Sequence, residues 1–288
     1  MYEWKEISIT DMKGFSIGHA QDEDHATGCT VILPDKKAVC GVAVRGGGPA
    51  SRETQLLNPL MSNDGIHGLL LSGGSAYGLD AARGVMTYLE RQKKGVKVGD
   101  AIVPIVVGSC IFDLGCVDGS VRPDAAMGYK ACLDAKNNTE RNGNVGAGMG
   151  ATVGKIMGAG RSMKSGLGCY AVQVGSLQVG AVVVVNAIGD VYELDSRKEL
   201  AGLLTADKSA MMDSEKEAVK LLQLASQFSL NTTIGAIITN AGLDKAEMNK
   251  VAAMASCSSR SSTSVSARLI SPFSSSSTFT SRRRYNSS

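Results

Sequence analysis

Short runs of apolar and β-branched residues alternate along this chain with clusters of glycine. Several runs are continuously apolar rather than alternating, which is typical of strands covered on both faces. The predicted strands are 41–44, 68–71, 102–107, 170–174, 181–186 and 234–239. The pattern therefore predicts buried sheets.

The segments between these strands have apolar residues at helical spacing. Predicted helices cover 75–91, 124–133 and 214–228, and a fourth begins near Asp244. Ser75 stands where an N-cap is expected, and Glu215 and Glu217 would favour the start of the third helix. Helices interspersed with buried strands indicate an α/β fold.

The composition of the chain and its apolar periodicity change after residue 254. From there to the C-terminus, 15 of 34 residues are serine, and the helical periodicity stops in mid-pattern. We therefore expect one domain over 1–254 and a disordered tail over 255–288, because a Ser-rich segment buries little apolar surface. A frameshifted 3′ end and a genuine basic tail remain alternative explanations.

Composition and charge narrow the function classes. The 288 residues are 43% hydrophobic and 20% charged, as in globular proteins. The net charge of +3 arises in the tail, since residues 1–254 hold 25 basic and 27 acidic groups, a net of −2. This balance argues against nucleic-acid binding, and no apolar run has the length of a membrane span.

The seven cysteines are scattered and contain no CxxC pair. They indicate reduced thiols rather than a disulfide framework or a zinc site. The N-terminal residues do not resemble a secretory signal. We therefore expect a cytoplasmic protein that has no membrane partner and needs no metal.

The junction between Asn231 and Thr232 carries the most distinctive chemistry. A polar run ends there, and an apolar strand begins at Thr232. If the Asn231–Thr232 bond were cut, Thr232 would combine a hydroxyl nucleophile with an α-amine of pKa about 7.7–8.0 as its general base. The alternative is that Thr232 and Thr233 are β-branched residues that merely open a strand.

Other polar and glycine-rich sites have competing interpretations. Asn186 ends an apolar strand, so it is a candidate oxyanion donor or a residue that satisfies a turn. The glycine loop around Gly146 and Gly148 lacks the strand and the acid of a dinucleotide fingerprint, so it predicts a tight turn that allows close backbone approach, with amides that could line a pocket. Ser75 is not in a nucleophile elbow and is expected to cap a helix or face the pocket. His67 is expected to open a strand.

Short motifs along the chain, taken in order, resemble those of one family. They lie at 18–22, 26–31, 44–47, 52–54, 71–82, 144–148, 151–155, 185–191 and 231–235. Over about residues 8–254 the chain resembles the self-processing L-aminopeptidase/D-esterase and β-peptidyl aminopeptidase family (DmpA-like, peptidase family S58).

The resemblance implies a four-layer αββα sandwich of the kind shared with ornithine acetyltransferase. It implies self-cleavage between Asn231 and Thr232, with Thr232 as the nucleophile and Asn186 as the oxyanion donor. It further implies hydrolysis of small peptides, amides or esters without a cofactor, by a homo-oligomer of processed heterodimers.

Two departures from the family pattern keep alternatives open. No tyrosine stands in 109–113, where some aminopeptidases of the family have one. The Ser-rich tail occupies the region where the family has a short acidic motif supporting the nucleophile. An acyltransferase on the same fold, and an inactive, unprocessed homologue with a binding role, therefore remain alternatives to the aminopeptidase.

Overall fold

The computed structural model describes residues 3–222, 232–258 and 264–271. Within these ranges the helices are α1 (Ala81–Arg91), α2 (Ala125–Asp134), α3 (Ser214–Leu222) and α4 (Lys245–Ser258). The strands are β1 (Trp4–Ile7), β2 (Phe15–Asp22), β3 (Thr27–Pro34), β4 (Val39–Val44), β5 (Ser51–Arg52), β6 (Gly68–Ser72), β7 (Val96–Val98), β8 (Ala101–Val103), β9 (Val106–Cys110), β10 (Thr152–Val153), β11 (Met163–Lys164), β12 (Leu167–Val174), β13 (Leu177–Asn186), β14 (Val191–Tyr192), β15 (Glu199–Ala201), β16 (Leu203–Leu204), β17 (Met211–Met212), β18 (Thr232–Thr239) and β19 (Ser264–Ser271).

Two large sheets organise the described residues. One has six strands in the order β1-β12-β13-β18-β19-β4, and the other has five in the order β2-β3-β6-β9-β5. Neighbouring strands are antiparallel except for the pairs β18–β19 and β6–β9, which are parallel. The remaining strands form two-stranded ribbons.

The core lies between these two sheets. Ile32 and Leu69 of the five-stranded sheet share one buried cluster with Val182 and Ile234 of the six-stranded sheet. A second cluster joins the outer face of the five-stranded sheet to α1 and α2, and a third joins α4 to the region of β4. The layers are therefore α, β, β, α, and the predicted αββα sandwich is confirmed.

Strand β13 shows which of its residues face this core. Val182, Val184 and Asn186 are fully buried, whereas the intervening Val183 and Val185 are only partly buried. Because side chains alternate between the faces of a strand, Asn186 shares the inner face with the two buried valines. The continuous apolar run thus has one face in the core and one partly exposed face.

Two local predictions differ from the structure. Ser75 is not an N-cap, because α1 begins at Ala81 and Ser75 opens a preceding 3-10 turn behind Gly74. Ser75 has φ 53 and Gly74 has φ 77, whereas an N-cap residue adopts an extended conformation. The predicted strand 102–107 is split at Pro104 into β8 and β9, since proline removes a backbone donor from the ladder.

The Ser-rich tail also differs from its prediction in part. Helix α4 continues to Ser258, past the expected boundary at 254, and β19 lies between β18 and β4 in the six-stranded sheet. Within β19, Val265, Ala267 and Leu269 alternate with polar residues, which is the period of a strand. Two neighbouring strands supply backbone partners that composition cannot reveal. The frameshift hypothesis stays a prediction, and the rest of the tail lies outside the described residues.

Candidate active site

The two principal sequence candidates, Asn186 and Thr232, lie directly opposite each other. Asn186 is the last residue of β13, Thr232 is the first of β18, and the antiparallel register pairs them. Residues opposite each other in such a pair have Cβ atoms about 4.5–5.5 Å apart. The structure therefore brings together two residues that are separated by more than forty positions in the sequence.

The direction of the Thr232 side chain follows from the rest of β18. Ile234 and Ala236 lie in the core between the sheets, and Thr232 shares their parity. Ile237 instead packs in the cluster on α4, so Thr233 lies on that outer face. Of the two threonines, Thr232 is the one on the same inner face as Asn186.

The Asn186 carboxamide is fully buried and oriented at both ends. Its Nδ2 donates to the carbonyl oxygen of Phe112 at 3.0 Å, and its Oδ1 accepts from the Thr152 N–H at 3.1 Å. A carboxamide nitrogen carries two N–H donors, and the bond to Phe112 uses one of them. The side chain is thus held in one orientation with a second donor to offer.

Lys155 lies next to Asn186 and was not predicted from the sequence as a site residue. Its Nζ donates to the backbone oxygen of Asn186 at 2.9 Å, although the residue is only 7% exposed. Burial lowers the pKa of Lys155 to about 8, and the Asp113 carboxylate partly opposes this shift. The only signal in the sequence was a lysine that closes the small-residue motif 151–155.

Asp113 is a second buried ionisable group in this region. Its Oδ1 accepts from the Gly74 N–H at 2.6 Å, and its Oδ2 accepts from the Thr27 hydroxyl at 2.8 Å. Burial raises the pKa of Asp113, while these hydrogen bonds act in the opposite direction. A Cβ added to Gly73 or Gly150 would overlap Oδ2, so glycines allow the chain to close around the carboxylate.

Segment 111–113 connects Ser75 to Asn186. The Ser75 N–H donates to the Ile111 oxygen at 2.9 Å, and the next carbonyl, that of Phe112, accepts from Asn186. The left-handed φ of Ser75 is unfavourable for a residue with a Cβ, and such strain persists where neighbours impose it. Asp113 supplies that constraint through Gly74, so Ser75 belongs to the wall beside Asn186.

The glycines of the 146–154 loop allow the close backbone approach that the sequence predicts. Gly146 and Gly148 are buried, and their N–H groups donate to Gln21 Oε1 and to the Val145 oxygen, respectively. A Cβ on Gly148 would lie 2.2 Å from the Leu167 nitrogen. These amides therefore have protein partners, and the glycines serve close packing rather than lining a pocket with free donors.

A pocket of about 330 Å³ opens two strands away from Thr232. Its lining includes Val42 and Val44 of β4 together with Thr54, Gln55 and Asn249. Strand β4 ends at Val44 at the same end of the sheet at which β18 begins, because both are registered on β19. Strand spacing places the pocket about 10 Å from Thr232 across the sheet.

Two further points complete the description of the site. Asn231 lies outside the described residues, so Thr232 is the first residue described on its side of the predicted cleavage point. Within the described ranges, no three His, Cys, Asp or Glu side chains are placed to hold a metal ion, and no helix has the length and apolar character of a membrane span.

Comparisons with known sequences agree with the resemblance. The family model described as Peptidase family S58 matches residues 8–267. An uncharacterized aminopeptidase of Mycobacterium leprae is 40% identical over 262 residues, which cover 85% of this chain and 70% of the relative. A 6-aminohexanoate-oligomer endohydrolase of a Kocuria species is 31% identical over 250 residues, which cover 84% of this chain and 66% of that enzyme.

Comparison with solved structures supports the fold. The L-aminopeptidase D-Ala-esterase/amidase from Ochrobactrum anthropi, a variant of the Ntn hydrolase fold, superposes with a TM-score of 0.67. The sequence identity is 16%, and the match covers 92% of this chain and 73% of that one. The likeness confirms that this four-layer architecture is the one found in aminopeptidases of this type.

Proposed function

This chain belongs to peptidase family S58, and on that premise we propose that it is a self-processing aminopeptidase whose nucleophile is Thr232. The observation that carries the proposal is the pairing of Thr232 with Asn186 on the inner face of the six-stranded sheet. A hydroxyl opposite a buried amide donor is the arrangement that acyl transfer needs.

Hydrolysis follows from the groups at this pair. The Thr232 oxygen attacks the substrate carbonyl carbon, and the free α-amine of Thr232 accepts the hydroxyl proton. The amide C–N bond then breaks, and the leaving amine takes the proton. Water hydrolyses the resulting ester, which returns the hydroxyl to Thr232.

The attack by Thr232 and the later attack by water each place negative charge on the former carbonyl oxygen. The second N–H of Asn186 is the donor for that oxygen, and removal of such a donor costs about 3–4 kcal/mol in comparable sites. The Lys155 ammonium, bonded to the backbone of Asn186, adds positive charge in a water-poor region. Together these two groups replace the tyrosine that is missing from 109–113.

Maturation uses the same hydroxyl. The Thr232 oxygen attacks the carbonyl carbon of Asn231, the peptide C–N bond breaks, and the hydroxyl proton passes to the Thr232 nitrogen. This break frees the α-amine, and hydrolysis of the ester then releases Asn231 as a carboxylate and returns the hydroxyl to Thr232. The oxyanion formed on Asn231 would be stabilised by the same groups as the substrate oxyanion.

We propose small peptides, amides or esters as substrates, with the pocket beside Val42 and Val44 as the space for a substrate side chain. Its lining combines apolar and amide groups.

We also propose a cytoplasmic homo-oligomer of processed heterodimers. The cysteines among the described residues form no disulfide, which supports a reducing compartment.

One assay separates this function from its two alternatives. Purified protein is incubated with an aminoacyl amide, with and without ornithine or glutamate as acyl acceptor. Release of the free amino acid, absent from Thr232→Ala, supports the aminopeptidase. A product acylated on the acceptor would instead assign an acyltransferase, and no turnover of either kind would favour a binding role.

A further inference from the structure

A second cavity lies at the opposite end of the five-stranded sheet from Thr232. It has a volume of about 240 Å³ and is lined by the turn that follows β3, by His67 before β6, and by the residues that follow α1. Strand β6 runs from this cavity to the wall at Gly73 and Ser75, a distance of about 17 Å at the rise of a strand. The cavity is therefore separate from the candidate active site.

Four lysines line this cavity, namely Lys36, Lys37, Lys93 and Lys94. The nearby carboxylates are Asp35, which also lines it, and Asp64, which pairs with Lys37 at 2.6 Å. Four ammonium groups against two carboxylates leave a net charge of +2. That excess is local, since residues 1–254 are net acidic.

The backbone of both lysine pairs is fixed. After α1, the Lys93 N–H donates to the Glu90 oxygen and the Lys94 N–H donates to the Leu89 oxygen, so the helix end is capped. After β3, Ala38 exchanges two backbone hydrogen bonds with Ile66. The backbone that carries the four lysines thus lies in, or next to, two hydrogen-bonded turns.

His67 adds a neutral donor to this charge. It is 7% exposed, its backbone N–H donates to the Ile105 oxygen at 2.8 Å, and its ring Nδ1 accepts from the Ile105 backbone N–H at 3.1 Å. An imidazole whose Nδ1 accepts carries its proton on Nε2. Burial is the main cause that lowers the pKa of His67; the charges of Lys37 and Lys94 also lower it, while the Asp64 carboxylate opposes them.

We propose that this cavity binds a phosphate dianion, either free or as the terminal group of a small soluble organic phosphate. A charge of −2 matches the net charge of the lining, and lysine ammoniums are common phosphate ligands. The Nε2–H of His67 and the lysines supply several donors, as the oxygens of phosphate require. The peptidase reaction proposed for Thr232 does not depend on this site.

The test is isothermal titration of the full chain with inorganic phosphate at constant ionic strength, and in parallel with glycerol phosphate. Lys36→Gln/Lys94→Gln removes one ammonium from each turn, and neither lysine takes part in an ion pair among the described residues. The matched control is Lys130→Gln/Lys198→Gln, which removes two exposed lysines that do not line the cavity. We expect at least tenfold weaker binding in the first variant and less than a twofold change in the control.

A third arm uses vesicles that contain phosphatidic acid, to distinguish a lipid headgroup from a soluble phosphate. Saturable binding of either soluble phosphate, weakened by salt and by the cavity variant, supports the site. Equal weakening in both variants, no saturable binding to the wild type, or binding to vesicles alone would overturn it.

Discussion

The polar side chains at the two ends of the sandwich differ in burial. At one end, next to Thr232, three polar side chains are buried, and each has a hydrogen-bond partner at fixed geometry: Asn186, Lys155 and Asp113. At the opposite end, three of the four lysines of the cavity are exposed, and His67 is the one buried polar residue of its lining. Fixed, water-poor groups can stabilise charge that develops in a reaction, whereas solvated lysines can attract an ion that is already charged.

The largest expected effect is at the nucleophile. Thr232→Ala should lower kcat by about 10⁴-fold or more, because removing a nucleophile abolishes the covalent route. Thr232→Ser keeps the hydroxyl and should retain activity within about two orders of magnitude. Thr233→Ala is the matched control, since Thr233 lies on the other face of β18; an equal loss in this variant would contradict the assignment.

Removal of the oxyanion donor should have the next largest effect. Asn186→Ala is expected to lower kcat by about 10²–10³-fold, with a smaller change in KM, because the donor acts mainly in the transition state. It should also destabilise the fold by about 1–3 kcal/mol, since the Thr152 N–H and the Phe112 carbonyl lose their partner.

Asn186→Asp separates the two roles in part, because it keeps the acceptor for the Thr152 N–H but loses the donor to the Phe112 carbonyl. It conserves side-chain volume but places a carboxylate where negative charge develops. If the variant folds as judged by thermal unfolding yet keeps wild-type kcat, Asn186 is not the oxyanion donor.

Lys155 gives a prediction about pH. Burial lowers its pKa in the folded protein to about 8, against an ordinary value of 10.5. Between pH 8 and 10.5 the unfolded state therefore binds more protons, so the free energy of unfolding should rise with pH in that window. The gain relative to Lys155→Met should be on the order of 3 kcal/mol, measured by urea unfolding at pH 8 and pH 10.5.

The same pKa predicts a pH dependence of the proposed reaction. The ammonium form, which would stabilise the oxyanion, is lost as pH rises through about 8. Lys155→Arg stays charged, and the alkaline limb of its kcat profile should therefore move to higher pH. An unchanged alkaline limb in this variant would show that Lys155 does not supply charge to the reaction.

The smallest expected effect is on the free energy of unfolding, through Asp113, which anchors the segment at Gly74 beside the site. Asp113→Asn replaces one acceptor of Asp113 by a donor and should cost about 1–3 kcal/mol of unfolding free energy, because Gly74 or Thr27 loses its acceptor. Asp118→Asn is the control on the same loop, where the carboxylate is exposed, and a change within about 0.5 kcal/mol is expected. Equal costs would contradict the role of Asp113 as an anchor.

The contrast between the two ends also explains what the sequence could predict. Strands β13 and β18 were predictable from their apolar runs, and the family resemblance pointed to Asn186 and Thr232. Lys155 and Asp113 were missed because their contacts with Asn186 and Gly74 join segments that are distant in sequence. No local pattern records such contacts.

Two other differences have local causes that only the backbone reveals. Ser75 was expected to cap a helix, but a left-handed turn held by Ile111 and Asp113 displaces the helix start to Ala81. Strand β19 was hidden because serine content suggested disorder, whereas its pairing depends on β4 and β18. In both cases tertiary contacts override local preference.

The intact mass of the purified protein and of Thr232→Ala, measured under denaturing conditions, decides whether Thr232 is the self-processing nucleophile. We expect two fragments for the wild type, corresponding to residues 1–231 and 232–288, and one uncut chain for Thr232→Ala. A wild-type chain that stays intact on prolonged incubation, or a variant that is cut at the same bond, would contradict Thr232 as the self-processing nucleophile.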